Sequence, residues 1–303
     1  MTQKVLKRIT NAMDSDKKLG YLLIFPSLLV ILGVMLYPFL YSLNMSFSKM
    51  DFANRTMNYI GLDNYIRMFK DSYFINSLRL TGYFTIVTVI AEISLGIAIA
   101  LVLNQKFKFR GFVRGIMILP WALPSVVNAI MWKWIYNPNY GALNALLTQM
   151  HIIGEYRDWL GEPSSALHAM IFANVWKETP YVVLLVLAAL SNISGDLYES
   201  AKIDGANAWQ AFWKVTLPIV KPVIVVLAIM KSIWAIQTFE LPYILTGGGP
   251  GGGTELLSFY IYKATFKFLD FGMGASMAYM ITLVTFVLSL LYIKFLSKDG
   301  EIV

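Results

Sequence analysis

The sequence predicts an all-α polytopic membrane protein with six transmembrane helices. Three observations carry that prediction. Of 303 residues, 57% are apolar and only 14% charged, with a mean hydropathy of +0.59, whereas a soluble domain holds about 25% charged residues. Six stretches are long and apolar enough to cross about 30 Å of hydrocarbon as helices. The links between them alternate in their density of Lys and Arg. A soluble protein with a large core would need a charged coat that this composition does not supply.

The first stretch, 19–42, exceeds the apolar run of a signal peptide, and the LNMSFSKM after it offers no small-x-small cleavage pattern, so it reads as a retained span. The second, 79–103, carries Glu92 deep within it. The third, 115–136, is interrupted by Pro120, Pro124 and Lys133, and the fourth, 168–191, by Lys177, Glu178 and Pro180. The fifth and sixth are placed at 219–240 and 272–295. This gives an N-terminal tail over 1–18, a membrane domain over 19–296 and a C-terminal tail over 297–303. Residues 1–18 carry five Lys/Arg, and the 104–114 link carries four with no acid. On the other side, 43–78 has four bases and three acids, and 137–167 has one base and three acids. By density, the bias places both termini in the cytoplasm, and an even number of spans agrees.

Several function classes fall away. The net charge of +7 is spread over short polar links without a long basic run or zinc-finger spacing, so no nucleic-acid partner is expected. Cysteine is absent, which removes disulfides and thiolate catalysis. His151 and His168 have no partner at ligand spacing, so neither a metal site nor an acid–base pair is expected. The run TGGGPGGGT, 246–254, lacks the Lys-Ser/Thr end of a phosphate loop and reads as an external turn.

The stretch YESAKIDGANAWQAFWKVTLPIVKP, 198–222, is the anomaly: a charged, structured segment between two apolar ones, on the side the charge bias makes cytoplasmic. Asp196 is the expected helix N-cap, with Glu199 three residues on. Ala201, Ala206, Ala208 and Ala211 permit close packing, and Gly205 permits a tight turn or the approach of another backbone. Trp209, Phe212 and Trp213 follow at helical spacing, and Pro218 is expected to bend the chain before the next span. The composition fits either an amphipathic helix lying on the inner leaflet or a docking element for a cytoplasmic partner.

This stretch resembles the Glu-Ala-Ala motif of permease subunits in bacterial binding-protein-dependent ABC importers. Glu199, Ala201, Gly205, Leu217 and Pro218 match its fixed points, Ser200 stands where Ala is usual, and Glu199 through Ala206, with Asp204 among them, is similar to the carbohydrate-uptake branch. In order along the chain, FPSLLVILGVMLYP, GLDNY (61–65), ILPWALPSVVNAIMWKWIYNPNYGALN (118–144), NVWKETPYVVLLVLAAL (174–190) and LTGGGP (245–250) extend the resemblance from about residue 17 onward. The resemblance implies the type I importer permease fold in the bacterial inner membrane, with a cytoplasmic coupling helix in 196–218. It implies a second homologous permease, a dimer of ATP-binding subunits that dock on the motif, and an extracytoplasmic solute-binding protein. ATP and Mg then belong to the ATPase partner, and this chain binds no cofactor and is not an enzyme. Glu199 would face basic partner groups, Gly205 would make the turn, and Ala201 and Ala206 would keep the fit close.

Charges inside the spans cost at least about 2.5–3.5 kcal/mol each on insertion scales, so each is expected to face a cavity, a partner charge or the interface. Glu92 is expected to meet Lys231, and Lys133 and Glu240 lie closer to segment ends. Asn128, Trp132, Trp176, Glu178, Gln237 and Glu240 form the expected solute-facing set, since sugars present hydroxyls to amides and carboxylates and C–H faces to rings. The competing reading makes Trp132 and Trp134 interface anchors. An anionic solute calls for an arginine along the path. Apart from Arg79 at the edge of the second, the spans hold none, which favours a neutral di- or oligosaccharide over a glycerol phosphate. A sugar alcohol and, in another class, an ion-driven secondary transporter are the alternatives; the latter would show an internal repeat, and none is visible.

Overall fold

A computed structural model describes residues 16–51 and 56–297. The expected tails, 1–18 and 297–303, lie outside these apart from residues 16–18 and 297, which are helical. In chain order the elements are α1 (Asp16–Val30), a π turn (Ile31–Leu36), α2 (Tyr37–Ser46), a ribbon of β1 (Ser48–Asp51) and β2 (Thr56–Tyr59), α3 (Asp63–Lys70), α4 (Ser72–Asn104), α5 (Arg110–Ala122), α6 (Ser125–Ile135) and α7 (Ala142–Gln149). After these come α8 (Pro163–Ser191), α9 (Gly195–Ile203), α10 (Ala208–Ala211), a π turn (Phe212–Thr216), α11 (Leu217–Ile236), a π turn (Pro242–Thr246), α12 (Leu257–Tyr262), a π turn (Lys263–Lys267) and α13 (Phe271–Ser297). Among the described residues five helices are long and apolar enough to cross a membrane, or six if a bent pair counts as one span. The chain is a multi-pass, predominantly α-helical membrane protein; the antiparallel ribbon, Ser48 opposite Tyr59, is an addition that the all-α expectation did not include.

Two expectations need correction and one is sharpened. The third span, expected to be interrupted at Pro120 and Pro124, breaks at the second: α5 and α6 meet at 94° across Leu123–Pro124, and Pro120 lies inside α5. Pro124 disfavours helical backbone at the residue before it, and Leu123 is extended at φ −71°, ψ 135°. The fifth span ends at Ile236 rather than 240, so Gln237 and Glu240 lie on a break and not on a continuous helix. Finally, Pro218 does not interrupt the chain's helical course; Ala208–Ile236 runs as one long helix. The irregularity is taken up by the π turn just before it, where the wider helix relieves the missing amide donor and the ring's push on the preceding carbonyl. The π turn at Ile31–Leu36 stands in the same relation to Pro38.

Other boundaries moved outward. α4 begins at Ser72 because the Asp71 carboxylate caps it, accepting from the Tyr73 amide at 2.9 Å. Arg79 therefore lies two turns inside a helix, lining a cleft with Asn76, Tyr83 and His168. His168 accepts or donates through Nε2 to the Tyr83 hydroxyl at 2.9 Å and sits 2.7 Å from the Ser164 carbonyl through Nδ1.

The centre of the bundle is the long pairing of α4 with α8. Gly96 makes it possible: a Cβ built there would lie 2.7 Å from Val182 Cβ. Lipid tails give helices no hydrophobic reason to associate, so such close van der Waals contact carries the packing. At one end Ala100, Leu103, Val182, Val186, Leu190, Val220 and Leu227 form a buried cluster, with Leu217 against it. At the other, Phe84, Trp132, Tyr136, Met170, Leu245 and Leu256 form a second. The first span, α1 through α2, differs from all of these: every residue from Tyr21 to Tyr41 is exposed. Phe39 touches the bundle edge-on at Tyr279, with ring centroids 5.3 Å apart.

Candidate functional site

A polar cavity of about 250 Å³ opens where α4, α6, α8 and α11 meet the break after Ile236. The break supplies Gln237, Thr238, Glu240 and Leu241 to its wall, α6 supplies Ser125 and Asn128, and α11 supplies Trp234. Helix ends leave carbonyls without intrahelical partners, and such backbone is tolerated at membrane depth only where protein or a cavity satisfies it. Here the Ser258 hydroxyl donates to the Thr238 carbonyl and Lys133 Nζ donates to the Ile244 carbonyl at 3.0 Å. Lys133, exposed, is thus engaged with backbone and is not on the cavity wall.

One wall is a network of buried charge. Lys231 Nζ, with its side chain 1% exposed, lies 2.6 Å from Glu178 Oε2 and 3.5 Å from Glu92 Oε2. It also donates to the Glu178 carbonyl at 3.0 Å and sits 5.2 Å and 5.0 Å over the rings of Tyr181 and Trp234. Lys177 Nζ takes the other oxygen of Glu178 at 2.7 Å, and Asn174 Nδ2 donates to Glu92 Oε1 at 2.9 Å. Two carboxylates and two ammonium groups on three helices are mutually satisfied, which is the condition for holding such charges out of water. The expected Glu92–Lys231 pair is present, but Glu178 is the closer acid, a partner that the sequence reading did not assign to Lys231.

Of the six residues expected to face solute, the structure brings Asn128, Glu178, Gln237 and Glu240 to this cavity. Both amide atoms of Asn128 are buried without a hydrogen-bond partner among the described residues. Trp132 and Trp176 are not on its wall. Trp132 is a core residue, 7% exposed, packed edge-on to Trp176 at 5.6 Å and Phe172 at 5.3 Å. Trp176 lines a separate apolar cleft with α5. Trp132, being buried, is not an interface anchor either, whereas its neighbour Trp134 is exposed. The ring at the cavity is Trp234, which the sequence reading missed; its spacing of three from Lys231 and from Gln237 was the available signal.

The second feature is the elbow between α8 and α11. The N-cap of α9 is Ser194, whose hydroxyl accepts from the Asp196 amide at 3.3 Å, and not Asp196 itself. Asp196 instead sits in the first turn, where its charge favours the helix dipole. α9 ends in a Schellman turn: the Gly205 amide donates to the Lys202 carbonyl at 3.1 Å and the Ala206 amide to the Ala201 carbonyl at 2.9 Å. That closure needs the left-handed backbone of Gly205, at φ +79°. A Cβ on Gly205 would meet nothing within 4 Å among the described residues, so none of their backbone approaches it. Asn207 and Gln210 then form a reciprocal capping box, both bonds at 2.9 Å, which starts α10.

Glu199, Ser200, Asp204 and Gly205 are exposed, while Ala201, Ala206 and Leu217 are half-buried and Pro218 is exposed. Glu199 has no ion-pair partner among the described residues. Trp209 and Trp213 are 68% and 50% exposed and pack on one another at 5.6 Å. The elbow is tied back by Tyr198, whose hydroxyl lies 2.9 Å from that of Thr216. Leu103, Leu190 and Leu217 share one packed cluster, so the elbow and the basic 104–114 link lie at the same end of the bundle.

Residues 92–296 match the family described as binding-protein-dependent transport system inner membrane component. The chain is 38% identical over 286 residues to the trehalose/maltose transport system permease protein MalF of Thermococcus litoralis, covering 94% of this chain and 95% of that one. It is 33% identical over 300 residues to the sulfoquinovosyl glycerol transport system permease protein SmoG of Agrobacterium fabrum, covering 98% and 97%. Its fold matches a chain in the crystal structure of a bacterial ABC transporter involved in import of the acidic polysaccharide alginate, with a TM-score of 0.82 at 24% identity over 99% of this chain and all of that one. It also matches one in the alginate transporter bound to a pentasaccharide-loaded periplasmic protein, with a TM-score of 0.79 at 25% identity and 94% coverage of each. The overall fold is that of a type I importer permease, and the chain belongs to the family of binding-protein-dependent transport system inner membrane components.

Proposed function

We propose that this chain is the membrane subunit of an ATP-driven importer for a carbohydrate, a neutral di- or oligosaccharide, and that the cavity around Glu178 and Glu240 belongs to the solute's path. Permease subunits of this family are non-catalytic, and hydrolysis resides in separate partner subunits. ATP and Mg accordingly sit on a dimer of ATPase subunits. A second homologous permease completes the path, an extracytoplasmic solute-binding protein supplies the sugar, and both termini are cytoplasmic. Residues 19–296 act as the membrane domain, with 196–218 as its coupling segment.

The observation that carries the reading is the cavity itself: amides, a carboxylate and an indole ring gathered at a helix break inside an apolar bundle. Hydroxyls need donors and acceptors, and sugar C–H faces need a ring. Asn128, Gln237 and Glu240 offer the first and Trp234 the second. At the elbow, Glu199, Ser200, Asp204 and Gly205 present an exposed, pre-formed turn to the ATPase, with Ala201, Ala206, Leu217 and Pro218 fixing it to the span. The chain's similarity to permeases for trehalose/maltose and for sulfoquinovosyl glycerol supports a carbohydrate.

Mild-detergent purification from the native membrane tests this. A second permease and an ATPase should be retained, and liposomes holding the complex and its binding protein should take up sugar only with ATP. A chain that purifies alone and moves solute under an ion gradient would replace this reading with a secondary transporter.

A further inference from the structure

Three carboxylates and two ammonium groups line the cavity. Both ammonium groups are consumed: Lys177 by Glu178, and Lys231 by Glu178 and Glu92. Glu240 is left over. It is half-buried, and it has neither an ion pair nor a hydrogen bond among the described residues. Lys133, the remaining cation of the neighbouring helix α6, is turned to the Ile244 carbonyl at 3.0 Å and stands off the cavity wall. Beside Glu240 on the same break is Gln237, exposed, and across from it is Asn128 with both amide atoms unpaired.

We propose that Glu240 sets the charge selectivity of this cavity, admitting neutral polyhydroxylated solutes and turning away anionic sugars. The inference rests on reading the cavity as the solute path and adds to it the residue that decides among sugars. A sugar hydroxyl donates to the unpaired carboxylate, while a uronate or a phosphate meets an uncompensated negative charge. Among the described residues no cation is free in the cavity to offset that charge without dismantling the Lys231 network. Half-buried and unpaired among the described residues, Glu240 acts on the potential that the solute meets.

The chain has no cysteine, so one introduced thiol reports on the cavity without background from this subunit. Gln237→Cys is placed in the assembled transporter, with thiols of the other subunits blocked or replaced. Its reaction rates are measured with three methanethiosulfonates of similar size, one cationic, one anionic and one neutral, each normalised to a free thiol. The cation-to-anion ratio should exceed that of the free thiol. Adding Glu240→Gln should lower it by about tenfold, because one unit charge within a few Å acts in opposite senses on the two reagents. A ratio unchanged by Glu240→Gln, while the neutral reagent still reacts, overturns the role of Glu240 and leaves the path reading standing. An introduced thiol that no reagent reaches, the neutral one included, overturns the path reading itself.

Discussion

Replacing Lys231 with Met keeps the length of the side chain and removes its charge. Glu178 then loses its 2.6 Å partner and Glu92 its 3.5 Å partner, with side chains 16% and 2% exposed. Lys177 and Asn174 remain, each holding one oxygen of one acid. Removing one member of a buried pair costs about 3–5 kcal/mol, because the charge left behind is uncompensated. Loss of the contacts over Tyr181 and Trp234 adds to that. Glu92→Gln is milder, about 1 kcal/mol, since Lys231 keeps Glu178 and the new amide can still pair. The ranking is therefore Lys231→Met well above Glu92→Gln. Thermal unfolding of the purified complex reads it: at roughly 2–4 °C per kcal/mol for a chain of this size, Lys231→Met should fall by about 10 °C. A Glu178→Gln/Lys231→Met cycle should show coupling of about 2 kcal/mol. A Lys231→Met protein that unfolds with the wild type, or a cycle with no coupling, would refute the hub.

Gly205→Asp should leave the chain in the membrane but lose the ATPase on purification: it places a side chain at φ +79°, a strain of about 1–2 kcal/mol, on an exposed turn with no internal atom to clash with. Full ATPase retention would disprove docking at that residue. Gly96→Ala should destabilise by about 1–3 kcal/mol through Val182, and Val182→Ala should restore much of it, measured as the melting temperatures of the three variants. Trp132→Ala should cost about 3–5 kcal/mol as a core deletion, whereas Trp234→Ala, which removes a 40% exposed ring and its contact with Lys231, should lower the melting temperature less and depress sugar uptake more; equal effects on both readouts would contradict the cavity's assigned ring.

Much of the architecture was legible because each span must satisfy its own backbone within an apolar run, and such runs are visible in a sequence. What escaped were matters of phase and termination. Glu92 and Lys231 stood out as charges deep in apolar segments, yet their pairing with Glu178 depends on the rotation of α8, which composition does not reveal. The same uncertainty exchanged Trp234 for Trp132: both flank amides in the sequence, but α6 turns its ring into the core. In SGDL two residues can cap, and only the path of the backbone selected Ser194 over Asp196. Pro218 looked like a break because a one-residue rule about missing donors does not foresee a π turn placed ahead of it. The ribbon at Ser48–Tyr59 is too short for its alternation to rise above the surrounding polar link.

The Lys231 hub also puts the chain's synthesis in a particular order. Asn174, which binds Glu92, is made 82 residues after it, and Lys231 is made 53 residues after Glu178. At about 5–20 residues per second, some 3–10 seconds separate the second acid from the ammonium that balances both. Throughout that interval the hub holds two acids against the single charge of Lys177, and the Asn174–Glu92 hydrogen bond is its one tie between α4 and α8. Arrival of α11 is thus the step at which the hub gains the ammonium that balances its two acids.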